Sequence, residues 1–265
     1  MQCSITTPFL AKVPTLTRTW TANILLVAAL GCGSFAADAQ PQSQASDATS
    51  ALTEYSAEYH VTRQGERHGK ARRALTRIDD SHYQLSYRSD IEWMIFSDER
   101  EETSRFQFTD GEVTPIYYTM ERTGTGPDKE YKISFDHSNQ QVFSNESKYA
   151  LDCPWKADYQ DVLSYQIALR KALAEGQERF AYPIVDKKGN SREYAFEVVG
   201  TETITLPIGN VETVKVKRLY DNDKRQAIAW FAPKMNYMMV RMYKGKDGVE
   251  QFQVELAKYV PYTPL

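Results

Sequence analysis

Beyond its N-terminal segment the chain is almost without cysteine. Cys3 and Cys32 fall in that segment, and only Cys153 remains in the body. One cysteine forms no internal disulfide and supplies no cysteine-rich zinc site. Histidine is nearly as scarce: His60, His68, His82 and His137 stand in neither H-x-x-x-H nor H-x-H spacing, so no zinc motif is written along the chain. There is no G-x-S-x-G for a serine nucleophile. Thr123 to Asp128, TGTGPD, lacks the Lys-Ser/Thr ending and the following helix that a phosphate loop needs. Asp221-x-Asp223 lacks the Gly and distal Glu of a calcium loop and reads as a turn. The net charge is only −3, which argues against an electrostatic nucleic-acid binder. No metal, cofactor or catalytic residue is therefore assigned.

Long apolar runs are also missing. The most apolar stretch is Ala22 to Gly31, ANILLVAALG, too short to span a bilayer comfortably. It follows Lys12 and Arg18 and precedes Ala37-Asp38-Ala39. That order reads as a secretory signal over 1–39, cleaved between Ala39 and Gln40. Ala29-Leu30-Gly31-Cys32 loosely resembles a lipobox, so the alternative to a periplasmic protein is one anchored to the envelope by an acylated Cys32. Neither reading leaves a transmembrane helix in the mature chain. Residues 40–52 are polar and form a linker with too little apolar content for a core.

What the chain has in abundance is Tyr and alternation. Its 17 tyrosines suit pleated surfaces. From Thr53 the apolar positions recur at every second residue: Tyr55, Ala57, Tyr59 and Val61 alternate with Glu54, Ser56, Glu58 and His60. Similar segments follow, separated by turn chemistry such as Asp79-Asp80-Ser81, Asp110-Gly111 and Leu206-Pro207-Ile208-Gly209. About a dozen strands result, joined by short turns and hence antiparallel. One segment breaks the rule. In Asp158 to Leu173, Val162, Tyr165, Leu169, Ala172 and Leu173 share one helical face. Asp158 suits the N-cap and Gly176 the stop. The expected architecture is a single β domain over 53–260: a large, highly curved antiparallel sheet or open half-barrel, with one principal helix at about 158–174 against its concave face or plugging one end.

Asp161-Val162-Leu163-Ser164-Tyr165, with Leu169-Arg170 following, resembles the D-x-L-S-x-x-x-x-L-R segment of the exported bacterial DUF3108 family. Leu206-Pro207-Ile208-Gly209, Val214-Lys215-Val216-Lys217-Arg218, Trp230-Phe231-Ala232-Pro233 and Tyr237-Met238-Met239-Val240-Arg241 extend the resemblance over about Tyr55 to Tyr259. It marks Asp161, Ser164, Arg170, Trp230, Pro233 and Arg241 as a structural motif. It implies an envelope location and a mostly antiparallel β fold, and it brings no catalytic residues. Asp161 is expected to bond the helix start or a neighbouring strand, and Arg170 to pair with a carboxylate on the sheet.

The remaining candidates are apolar. Trp93, Met94 and Phe96, with Met238, Met239 and Met242, are bulky side chains that either fill core or line an apolar groove; methionine suits surfaces that repack around varied ligands. The leading functional expectation is a non-enzymatic envelope protein holding a lipid or a lipoprotein acyl chain on its concave face. The alternative is an envelope scaffold that binds a protein partner through an edge strand or the acidic run Asp98 to Glu102. A hydrolase is the remote third reading.

Overall fold

The computed structural model describes residues 52–152 and 154–262. The signal-like segment, the expected cleavage point Ala39–Gln40, Cys32, nearly all of the linker, and Cys153 lie outside the described residues. The alternating pattern becomes thirteen strands: β1 (Tyr55–Arg63), β2 (Glu66–Arg77), β3 (His82–Trp93), β4 (Phe96–Thr109), β5 (Glu112–Gly124), β6 (Lys129–Asp136), β7 (Gln141–Ser144), β8 (Arg179–Val185), β9 (Ser191–Leu206), β10 (Gly209–Leu219), β11 (Arg225–Ala232), β12 (Met238–Lys246) and β13 (Val249–Pro261). The helix α1 (Tyr165–Ala174) stands between β7 and β8.

All thirteen strands belong to one sheet, in the order β7-β6-β5-β4-β3-β2-β1-β13-β12-β11-β10-β9-β8. Two meanders, β1 to β7 and β8 to β13, are joined where β1 pairs antiparallel with β13. The sheet curls but does not close, so it is a half-barrel whose edges are β7 and β8. The segment after β7 spans the opening. Leu151 N–H donates to Val142 O of β7 at 2.8 Å. Gln160 forms a parallel bridge with β8, and its side chain donates to Val113 O of β5 at 2.7 Å. Polar backbone at both edges is thus partly satisfied without a ladder between them.

The core follows the period-two reading. Tyr55, Ala57, Tyr59 and Val61 are all buried, as are Leu75, Tyr83, Leu85, Phe106, Tyr118 and Ile133 on the strands beyond. β9 runs unbroken from Ser191 to Leu206. A register shift opposite Lys215/Val216 and Gly200, at φ 140, bend the strand instead of ending it.

The helix is shorter than its apolar spacing suggests. Asp158 is not its cap, because Tyr159 and Gln160 run extended beside β8. The N-cap is Ser164, which makes no side-chain cap bond, and Asp161 closes the turn that leads into it. Its carboxylate accepts the N–H groups of Leu163 at 2.7 Å and Ser164 at 2.8 Å, while Ser164 Oγ accepts the N–H of Asp161 at 2.9 Å. This reciprocal pair resembles a capping box placed one turn early, and such bonds stabilise a turn by about 1 kcal/mol. The helix buries Ile167, Leu169, Ala172 and Leu173, and each larger chain contributes about 1.5–3 kcal/mol. At its far end Lys171 meets Glu112 at 3.7 Å. Arg170 Nε donates to Asn236 O at 3.0 Å. The helix therefore plugs the end of the half-barrel that carries the β4–β5 and β11–β12 turns. The opposite end is left as a mouth.

Candidate functional site

The half-barrel and its plug enclose a cavity of about 540 Å³, within the range of ligand-binding sites. Its floor is apolar: Leu163, just before α1, and Leu169 of α1 line it with Phe231, Met239 and Met242, and with Phe252 and Val254 from β13. The space exists because the facing wall is small. Ala227 and Ala229 of β11 and Ala71 of β2 also line it, where larger side chains would fill it.

A bulge decides which methionines reach this lumen. Trp230 pairs with Arg241, but the next residue, Phe231, pairs with Met239, so Val240 is the extra residue. Met239 and Met242, which simple alternation would place on opposite faces, both line the cavity. Met238 does not: it is 1% exposed and packed in the core.

Trp93, Met94 and Phe96 lie elsewhere, at the tip of the β3–β4 hairpin. Met94 is 89% exposed and Phe96 57%. The Arg63 guanidinium lies 4.0 Å over the Trp93 ring, and His68 meets that ring edge-on. The six residues proposed for one apolar groove therefore do not share a surface. A hairpin turn carries its side chains to solvent however apolar they are.

Towards the mouth the cavity becomes charged, a feature the search for apolar residues missed. Arg73, Arg100, Lys187, Arg218 and Lys244 line it, with Glu102 among them. Arg73 is 6% exposed and donates to Gln166 Oε1 of the helix. Glu102 accepts the Tyr118 hydroxyl at 2.8 Å and meets Arg100 at 3.8 Å, so half of the acidic run is turned inward. Arg218 sits 3.3 Å over the Tyr194 ring and 4.7 Å from that of Tyr220. Lys187 reaches from the β8–β9 turn across to Met120 Sδ at 3.9 Å. Desolvation, with Arg100 nearby, lowers the Lys187 ammonium pKa. Lys244 keeps contact with solvent through the mouth, yet the surrounding walls, with Arg100 and Arg218, lower its pKa too. The sign was visible in the sequence, since Arg218 and Lys244 sit in period-two register with Val216 and Met242. That their strands face a common lumen was not.

The motif residues have structural work. Asp161 is fully buried, and its second oxygen accepts the Ser104 hydroxyl of β4 at 2.6 Å. Burial pushes its carboxyl up to about 6 despite these donors. Arg170 lies over the Tyr55 ring at 5.5 Å. With its bond to Asn236 O, this takes the place of the expected carboxylate partner. Trp230 Nε1 donates to Glu202 at 2.7 Å. Arg241 donates to Thr205 O at 2.8 Å and pairs with Glu255 at 2.7 Å. These contacts lie on the face opposite Ala229 and Phe231 and clamp the bent end of β9. Pro233 opens the short 3-10 turn between β11 and β12.

The profile of a family described as "Protein of unknown function (DUF3108)" matches residues 54–252. The chain belongs to the DUF3108 family. Among solved structures, this DUF3108 protein is similar to a β-barrel-like protein of domain of unknown function DUF1849 from Brucella abortus. The two share 12% identity at a TM-score of 0.58, over 80% of this chain and 99% of that one, which is a likeness of fold. A DUF1089 family protein from Pseudomonas aeruginosa is more distant, with 9% identity and a TM-score of 0.32 over 68% of this chain and 86% of that one. A comparison with curated proteins finds no match. Among the described residues of the DUF3108 chain, no helix is long and apolar enough to cross a membrane.

Proposed function

We propose that this DUF3108 protein is an exported, non-enzymatic binding protein of the cell envelope that holds one lipid or acyl chain in the lumen of its half-barrel. The observation that carries the reading is the cavity of about 540 Å³ between the helix and the inner wall, floored by Leu169, Phe231, Met239, Met242 and Phe252. Such a floor excludes water from a chain while methionine adapts to its shape. Export rests on the signal-like sequence of residues 1–39.

Native mass spectrometry of the protein purified from its own envelope tests both parts. Export is supported by a chain that begins at Gln40 or at an acylated Cys32. Binding is supported by a lipid-sized adduct that organic extraction removes. An uncleaved chain would overturn the export reading. Protein that stays bare when equilibrated with a neutral apolar probe would overturn the binding reading.

A further inference from the structure

The cavity has two chemically different halves, and the charged half is out of balance. Two carboxylates belong to it, Glu102 and Asp186. Both are engaged: Glu102 with Tyr118 and Arg100, Asp186 with Arg192 and the N–H groups of its own turn. Among the described residues, no carboxylate forms an ion pair with Lys187, Arg218 or Lys244. Deeper in, Arg73 is 94% buried, and its Nε, like those of Arg100 and Arg218, is a buried donor with no partner.

Unpaired cations crowded in a confined space are costly. Desolvation first, and then repulsion from Arg100 and, at Lys244, Arg218, lowers the pKa of Lys187 and Lys244. An anion placed among them would relieve the repulsion. Arg218 is prepared for this role. Its guanidinium carbon lies close to the Tyr194 and Tyr220 rings, contacts that hold the side chain without supplying a counter-charge.

Resting on the reading of the lumen as a chain-binding site, we propose that its ligand is an anionic amphiphile: a carboxylate or phosphate head held by Arg218 and Lys244 near the mouth, and an alkyl tail laid on Met239, Met242 and Phe252. The head group, more than the tail, sets the selectivity, because charge-assisted hydrogen bonds in a confined site each contribute more than a methylene does.

The test is displacement of the uncharged probe N-phenylnaphthylamine from the full mature protein by laurate, dodecyl phosphate, dodecanol and inorganic phosphate. The two anionic chains are expected to compete at least about tenfold better than dodecanol. The better of the two identifies the head as carboxylate or phosphate. Arg218→Gln with Lys244→Gln is expected to erase that advantage while retaining the probe. Arg218→Lys with Lys244→Arg keeps both charges but not the guanidinium at 218, and is expected to keep part of it. Equal competition by dodecanol in the wild-type protein would overturn the head-group inference and leave the cavity reading standing; this comparison needs no variant to fold. Inorganic phosphate that competes as well as dodecyl phosphate would overturn the role given to the tail. A protein that binds neither the probe nor any chain overturns both readings.

Discussion

The Ser104 hydroxyl donates to the Asp161 carboxylate at 2.6 Å, tying the middle of β4 to the head of the helix. The same carboxylate closes the turn that leads into that helix through Leu163 and Ser164. One buried side chain therefore fixes both the start of the plug and its position in the half-barrel. Asp161→Ala is expected to destabilise the protein by about 2–4 kcal/mol, since it removes the bonds that close this turn and leaves a buried hydroxyl unpaired. Urea unfolding measures the loss. A change below about 0.5 kcal/mol would show that the plug is held by packing alone.

Asp161 also sets a pH dependence. Its carboxyl is raised from the ordinary 3.8 to about 6 in the folded protein. The folded state therefore binds more protons than the unfolded state between these values. The stability this provides is complete below about pH 4 and is lost as the pH rises through about 6. The difference amounts to about 3 kcal/mol. Asp161→Asn, which can keep the accepting oxygen and donate to Ser104, is expected to remove this loss. Unfolding of both proteins across the window gives curves that diverge with rising pH; parallel curves would show that Asp161 titrates normally.

Ala229 opposes Met242 across β11 and β12, and both line the lumen. Ala229→Leu is expected to lower chain affinity about tenfold or more while shifting stability by less than about 1 kcal/mol, because the added atoms enter the lumen and not the packed core. Probe titration and thermal unfolding together make the check. A variant that binds as well as wild type would place the chain elsewhere.

Met94 occupies a left-handed backbone conformation, φ 57, at the exposed tip of the β3–β4 hairpin. A branchless Cβ still costs about 1 kcal/mol there. Met94→Gly is expected to raise stability by up to that amount, and Ile95→Ser to change it by less than about 0.5 kcal/mol. Denaturant midpoints decide. Marked loss in either variant would mean that the tip packs against the body of the protein.

How far the sequence reached depends on the range of each interaction. Alternation along Tyr55 to Val61 and turn signals such as Asp110-Gly111 specify strands and hairpins, because the period of side chains and the dihedrals of turns are local properties. Neighbouring hairpins then pair antiparallel, so the meanders followed too. The helix was legible from the spacing of Leu169, Ala172 and Leu173, although its start was not. Asp158 suits the N-cap until Gln160 is found pairing with β8.

Three features were decided only by the tertiary structure. The pairing of β1 with β13 joins residues from opposite ends of the domain, which no local pattern encodes. The bulge at Val240 shifts the side-chain phase by one residue, so Met239 and Met242 share a lumen that alternation had split between two faces. The gathering of Arg100, Lys187, Arg218 and Lys244 depends on the curl of the whole sheet, which brings four separate pieces of chain around one space. The residues that make the site were all present in the sequence. Their convergence is a property of the curled sheet, and only long-range pairing produces it.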